Sequence, residues 1–170
     1  MARRLNSRIE ELRVDAAKRQ FKQLVLEGGW EIKADLHKSF TFLPDNYAVG
    51  ATDRYRGKWR FDHHFYPVIE KLEDGTEEFK CAVVIDSHPK VKHWVRNLEC
   101  DAAGAFWLPT SHGRLFPDFI CELLDGRILV VEYKGEHLRQ MQSEIEKEQV
   151  GRLWAEKSEG KCLFFYGIFT

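Results

Sequence analysis

Four consecutive aliphatic residues, Ile128-Leu129-Val130-Val131, run directly into Glu132-Tyr133-Lys134-Gly135. No other stretch restricts the folding of this chain as much. An apolar run of this length predicts a strand over 127–133 that is buried on both faces, and so lies in the middle of a sheet. Asp125-Gly126 before it signals a two-residue hairpin, which makes 116–123 the partner strand. Such a turn pairs residues whose numbers sum to 251, setting Glu132 near Phe119 and Asp118 near Tyr133. Glu132 and Lys134 stand two apart, so their side chains leave by the same face. An unpaired carboxylate at that edge of a core is costly, so Glu132 needs a partner. Gly135 then lets the strand end close to a bulky ligand.

Around this hairpin the periodicities change. Apolar positions at Leu5, Ile9, Leu12, Ala16, Phe21, Leu24 and Val25 recur at helical spacing until Gly28-Gly29, which predicts an amphipathic helical extension over 1–29. Residues 30–170 are then one domain, with a core at about 77–169. From Trp30 to about Leu72 the pattern is β-like. Tyr55, Trp59 and Phe61 alternate with Arg54, Arg56, Lys58 and Arg60, so a strand there has one aromatic and one cationic face. Asp74-Gly75 closes that region as a turn. The stretch from Glu77 reads as a helix continuing, kinked at Pro89, through Val91, Trp94, Val95 and Leu98, although Cys81–Ile85 suits a buried strand equally well. Phe106-Trp107-Leu108 is a short strand ended by Pro109, Glu136–Lys157 a long helix and Cys162–Phe169 a last buried strand. Trp94, Trp107 and Trp154 are expected to face inward. The order is helix, three strands, helix, strand, an α/β layout with additional β-strands before it.

Composition excludes several classes. With 26 Lys and Arg against 27 Asp and Glu in 170 residues, the chain has no general basic coat, though a local patch of cations suits a polyanion. No apolar run approaches membrane-spanning length, and the basic N-terminus lacks the apolar stretch of a signal peptide, so a cytoplasmic location is expected. Cys81, Cys100, Cys121 and Cys162 lie far apart, as reduced structural thiols do. His63, His64, His88, His93 and His112 lack the spacing of a zinc site, and no serine sits in a nucleophile elbow. The chemistry is expected at the open end of the hairpin instead. There Asp118 and Glu132 converge as hard oxygen donors suited to Mg2+, and Lys134 stands beside them to hold a phosphate oxygen or orient a water.

These residues carry a resemblance. Pro117-Asp118 followed by Glu132-Tyr133-Lys134 resembles the signature of PD-(D/E)xK phosphodiesterases, whose restriction-endonuclease-like core has the element order given above. More closely, Val91-Lys92-His93-Trp94-Val95-Arg96-Asn97-Leu98-Glu99, Phe116-Pro117-Asp118-Phe119-Ile120 and the run from Asp125 to Gly135 are similar to the C-terminal part of type III restriction enzyme R subunits and related helicase-like proteins. Tyr55-Arg56-Gly57 and Gly151-Arg152-Leu153-Trp154 extend the likeness.

The resemblance implies divalent-metal-dependent hydrolysis of DNA phosphodiesters. Asp118, Glu132 and the Tyr133 carbonyl would hold Mg2+, with Mn2+ as a substitute, and Lys134 would assist the nucleophilic water. Many members add an acid from the first core helix, for which Glu78 is the candidate, with Glu77 and Glu99 as rivals. Others use a residue of the helix after the motif, where Lys147 and Gln149 project. Arg54, Arg56, Lys58 and Arg60 are the further candidates for contacting DNA. The type III enzymes couple cleavage to an ATP-driven motor, and this chain has no Gly-x-x-x-x-Gly-Lys-Ser/Thr loop. A helicase or translocase is therefore an expected partner, on the same parent protein or another chain, and a homodimer is expected of a double-strand cutter. The alternatives are a catalytically inactive DNA-binding or protein-docking domain of the same fold, and a nuclease acting on RNA or single strands.

Overall fold

The computed structural model describes residues 42–45, 47–50, 52–99, 105–111, 113–134 and 142–167, with scattered positions between 8 and 23. Each described position from Arg8 to Gln20 is α-helical, and Ile9 and Leu12 are exposed there. The remainder is a mixed α/β fold. Helix α1 (Glu77–Ser87) leads into β1 (Val91–Arg96), then β2 (Leu108–Thr110), β3 (Gly113–Leu115), β4 (Phe119–Leu123), β5 (Ile128–Tyr133), α2 (Gln142–Lys157) and β6 (Cys162–Gly167). One sheet has the order β1-β4-β5-β6, and β2 pairs only with β3. The β1–β4 and β4–β5 pairs are antiparallel, while β5 and β6 run parallel, joined by the α2 crossover.

The expected single helix from Glu77 to Leu98 is two elements. Thr76 caps α1 by accepting the Phe79 N–H at 3.2 Å, and Glu77 and Glu78 suit the positive end of the helix dipole. His88 precedes Pro89, which disfavours helical backbone, and it is extended at φ −77° and ψ 123°. Pro89 thus ends the helix rather than kinking it, and Val91, Trp94 and Val95 become the buried positions of β1. The short strand also differs: β2 begins at Leu108 and contains Pro109, tolerated because β3 is its one partner. Five strands lie between the two helices, and the main sheet takes β1, β4 and β5, so Val91–Arg96, expected as helix, stands where the strand at 106–108 was expected.

The described part of the segment 30–72 forms no strand, only isolated bridges at Arg54–Glu70 and His64–Trp94. Its aromatic and cationic residues do not alternate across a pleat. Side chains hold this backbone in place of a ladder. Buried Asp86 accepts the N–H groups of Asp62 and His63 at 3.1 and 2.9 Å, together with the Trp94 indole N–H at 2.8 Å. Tyr55 and Phe61 pack on Phe79 of α1, and Phe61 on Trp94.

The sheet separates two cores. On the α1 side lie Cys81, Ala82, Ile85, Trp94, Phe119, Cys121 and Val131. On the α2 side lie Val95, Ile120, Val130, Val150, Leu108 and Leu115, with Trp154 against them. Gly151 brings α2 so close to β6 that a Cβ there would overlap the Phe164 ring. Trp107, expected inside, is 42% exposed under the Arg114 guanidinium. Cys81, Cys121 and Cys162 are buried free thiols, with Cys81 pushed up to about 12 by burial; Cys100 lies outside the described residues. Among the described residues, no helix is long and apolar enough to cross a membrane.

Candidate functional site

Strand direction alone gathers the site. Because β1, β5 and β6 share a direction and β4 opposes them, the ends of β1, β5 and β6 meet the start of β4 at one end of the sheet. Arg96, Glu132, Tyr166 and Asp118 occupy those positions. Both helices add acids from their first turns, Glu77 and Glu78 of α1 and Glu144 of α2.

The hairpin register differs from expectation by one residue, and the difference matters. Gly126, at φ +83°, donates its N–H to the Leu123 carbonyl at 2.9 Å, and Leu123 donates to the Arg127 carbonyl at 2.9 Å. The loop is therefore three residues, Leu124-Asp125-Gly126, with glycine in the left-handed position such loops need. Paired residues sum to 250, as in Phe119 with Val131. One step further along, Asp118 stands opposite Glu132, whereas a sum of 251 would have set it opposite Tyr133. Opposite residues share a face, so the observed register is the one that lets both carboxylates converge.

Asp118 is half-buried, and its Oδ2 accepts the Tyr133 N–H at 2.6 Å. Glu132 is 1% exposed. Its Oε1 lies 3.0 Å from Lys134 Nζ, while its Oε2 is buried without a hydrogen-bond partner. Burial, then the charges of Asp118 on Glu132 and of Glu78 on Asp118, hold both carboxyls well above their usual range, against the pull of Lys134. Burial opposes the Lys134 charge, but Glu132, Asp118 and Glu144 outweigh it, so the ammonium is stabilised.

Glu78 lies beside this pair and is ion-paired to Arg96 Nη1, while Arg96 Nε reaches Glu70 Oε2 at 3.1 Å. Glu77 instead accepts the Tyr133 hydroxyl, and Glu99 is exposed. Lys147 donates to Glu144 Oε1 at 2.9 Å and faces Glu132 closely enough to favour its ionised form. Gln149 is exposed. Tyr166 donates to Glu144 Oε2 at 2.9 Å. Burial alone would raise Glu144, but these hydrogen bonds and the charges of Lys134 and Lys147 bring it below its usual value. Arg54, Arg56, Lys58 and Arg60 are all exposed on the irregular segment.

Sequence reasoning missed Arg96, Glu70, Glu144 and Tyr166. Arg96 carried a usable signal, since a cation straight after Trp94-Val95 mirrors Glu132 straight after Val130-Val131. Asp118 and Glu132 form a pair of hard oxygen donors, and among the described residues no three His, Cys, Asp or Glu side chains converge as a ready ligand set. The orphaned Glu132 oxygen and the paired carboxylates fit a small divalent cation. No protein-family model and no curated protein matches the chain.

Proposed function

We propose that this domain is a divalent-metal-dependent deoxyribonuclease of the PD-(D/E)xK type, built on a restriction-endonuclease-like core. One observation carries the reading. Glu132 is buried at a strand end with one carboxylate oxygen committed to Lys134 and the other to nothing. A carboxylate in that setting costs several kcal/mol unless a ligand compensates it, and Asp118 beside it raises the cost. The order α1, three sheet strands, α2, β6 supports the same reading.

Asp118, Glu132 and the Tyr133 carbonyl are the groups that would hold Mg2+. When bound, the metal supplies positive charge to the phosphate oxygens as negative charge develops on them. The protein's own groups do the rest. The Tyr133 N–H fixes one oxygen of Asp118, and Glu132 fixes Lys134. Because its neighbours favour the charged form, Lys134 acts as an ammonium donor rather than as a base. It orients the attacking water or grips a phosphate oxygen. DNA is the substrate in this reading, Mn2+ an admissible substitute, and a motor on the parent protein or another chain a partner.

Nicking of supercoiled plasmid at low salt, with Mg2+ or Mn2+, tests this. Wild type is expected to cut only with metal, and Glu132→Ala and Lys134→Ala are each expected to lose at least 100-fold in rate, about 2.7 kcal/mol of barrier. Equal cutting by all three would assign the activity to a contaminant. DNA and Mn2+ binding with no cutting by wild type would favour the inactive DNA-binding reading instead.

A further inference from the structure

Trp107 is a large apolar side chain that the fold leaves outside. It is 42% exposed, and the Arg114 guanidinium stands 4.4 Å from its ring centroid. Alternation along β2, β3 and the residues before β2 puts both there: Phe106, Leu108 and Leu115 turn into the core on the α2 side, so Trp107 and Arg114 turn outward. We propose that Trp107 and Arg114 form a binding surface for an unpaired DNA strand beside the carboxylate pair, the indole stacking on a base and the guanidinium meeting the adjoining phosphate. The site then favours DNA with unpaired nucleotides next to the scissile bond over continuous duplex. This names the substrate class for the nuclease reading above and rests on it.

Three connections hold the surface next to Asp118. Asn97, buried just after β1, donates its N–H to the Asp118 carbonyl at 2.8 Å. Its side chain takes both backbone groups of Phe106, Nδ2 donating to the carbonyl at 2.8 Å and Oδ1 accepting the N–H at 2.9 Å. Trp107 follows Phe106 directly, so these links keep its Cα within about 14 Å of the Asp118 carbonyl. On the other side of the hairpin, β3 runs through Phe116 and buried Pro117 into Asp118. At the turn between β2 and β3, Ser111 donates both its N–H and its hydroxyl to Glu146 of α2, the hydroxyl at 2.7 Å. Glu146 lies between Glu144 and Lys147 in sequence, the residues that α2 brings to the pair. The faces agree as well. Leu108 and Leu115 pack in one cluster with Ile120 and Val130, and Asp118 and Glu132 each lie two residues from one of these, on the same side of the sheet.

The chemistry matches a nucleotide. A base of any identity offers a π-face, and stacking on an aromatic side chain contributes a factor of about 5 to 150 in affinity per base. Inside a duplex those faces are covered by the neighbouring pairs, so only an unpaired nucleotide can offer one. The guanidinium lies over one face of the indole and fixes its tilt, and it carries the charge that the phosphate next to a stacked base attracts. Because Asn97, Glu146 and Pro117 fix the backbone around the pair, the surface is formed before a ligand arrives.

Binding by the full chain in Ca2+, which prevents cutting, tests the inference. Fluorescence anisotropy compares a blunt duplex with the same duplex carrying a single-stranded tail. Wild type is expected to bind the tailed DNA more tightly by about fivefold or more. Trp107→Ala is expected to lose that preference while keeping its blunt-duplex Kd within about twofold, and Trp107→Phe, which retains a ring, to keep most of the preference. Trp59→Ala, which removes the tryptophan that is 46% exposed on the cationic segment, is expected to leave the preference as it is. A short oligothymidylate is expected to quench the wild-type indole emission, and Trp107→Phe to remove most of that quenching. Arg114→Gln is expected to lower the salt slope of oligothymidylate binding by about 0.7. Should Trp107→Ala fail to fold, the wild-type preference and the quenching decide. Equal binding of both DNAs by wild type, quenching that persists in Trp107→Phe, or a tail preference that survives in Trp107→Ala would each overturn the inference and leave the nuclease reading to the plasmid assay. No binding of either DNA by wild type at low salt would overturn the nuclease reading, and this inference with it.

Discussion

Glu132 and Asp118 keep their protons to higher pH in the folded chain than in an unfolded one, because burial, then the charge of Asp118 on Glu132 and of Glu78 on Asp118, penalises the charged forms. The folded state therefore binds more protons from the ordinary carboxylate range up to about 8, to which Glu132 is pushed. Between those limits stability falls as pH rises. The metal-free melting temperature is expected to drop from pH 5 to pH 9, by several degrees for on the order of 2 kcal/mol. Glu132→Gln, uncharged at every pH, is expected to flatten that profile and melt higher than wild type at pH 8.5. Mg2+ at that pH is expected to raise the wild-type melt and leave the variant unmoved, since metal binds the deprotonated pair. Scanning calorimetry across pH decides it. A wild-type melt that climbs through this window would mean that Glu132 is ionised and satisfied by its neighbours. Asp118, Glu132 and Lys134 were legible in the sequence because each sits where a strand leaves its apolar run. Glu70, Glu144 and Tyr166 were not, since what makes them matter is the neighbour each meets across the fold; Arg96 ends its apolar run as Glu132 does, but the helical reading of that stretch hid it.

Elements were legible where local chemistry and tertiary context agree, and were misread where they compete. Ile128–Tyr133 forms a strand under any reading of its aliphatic run, and Gln142–Lys157 keeps helical spacing. Val91–Arg96 has the residues of a strand, but Val91, Trp94, Val95 and Leu98 also continue the 3.6-residue pattern of the helix before it, and only the pre-proline restriction at His88 separates the two. The hairpin failed by a single residue because Asp-Gly serves both two-residue and three-residue loops, and the choice lies in how β4 and β5 pack. The crossover helix allows a sharper test. Gly151 of α2 faces the Phe164 ring with no room for a side chain. Gly151→Val is expected to push α2 off β6 and cost about 1–3 kcal/mol of stability, despite the better helix propensity of valine. Because α2 carries Glu144 and Lys147 to the site, Mn2+ affinity is expected to fall in the same variant. Urea unfolding checks the first outcome; an unchanged midpoint would mean that the ring swings aside at little cost.

At the scale of the whole molecule, acids and bases nearly cancel, with a net charge of −1. A domain so balanced cannot gather DNA by its overall field, so any affinity comes from where its cations stand. Arg54, Arg56, Lys58 and Arg60 are exposed on one short segment, which packs through Tyr55 and Phe61 on Phe79 of α1, one residue from Glu78. Arg54 bridges to Glu70, which holds Arg96, so in the nuclease reading this segment is the candidate path for DNA flanking a scissile phosphate. Each phosphate contact releases counterions and contributes about 0.9 to the slope of log K against log salt. Replacing all four with alanine is therefore expected to lower that slope by up to about 3.6 and to weaken duplex binding most at low salt, where screening is least. Fluorescence anisotropy of a labelled duplex, in Ca2+ to prevent cutting, measures both quantities. Mn2+ affinity is expected to change little, because the charges that act on Asp118 and Glu132 are those of Glu78, Lys134, Arg96 and Lys147. An unchanged slope with intact duplex binding would move the phosphate path away from this segment, and Lys147 at the opposite border of the cluster would become the next cation to replace.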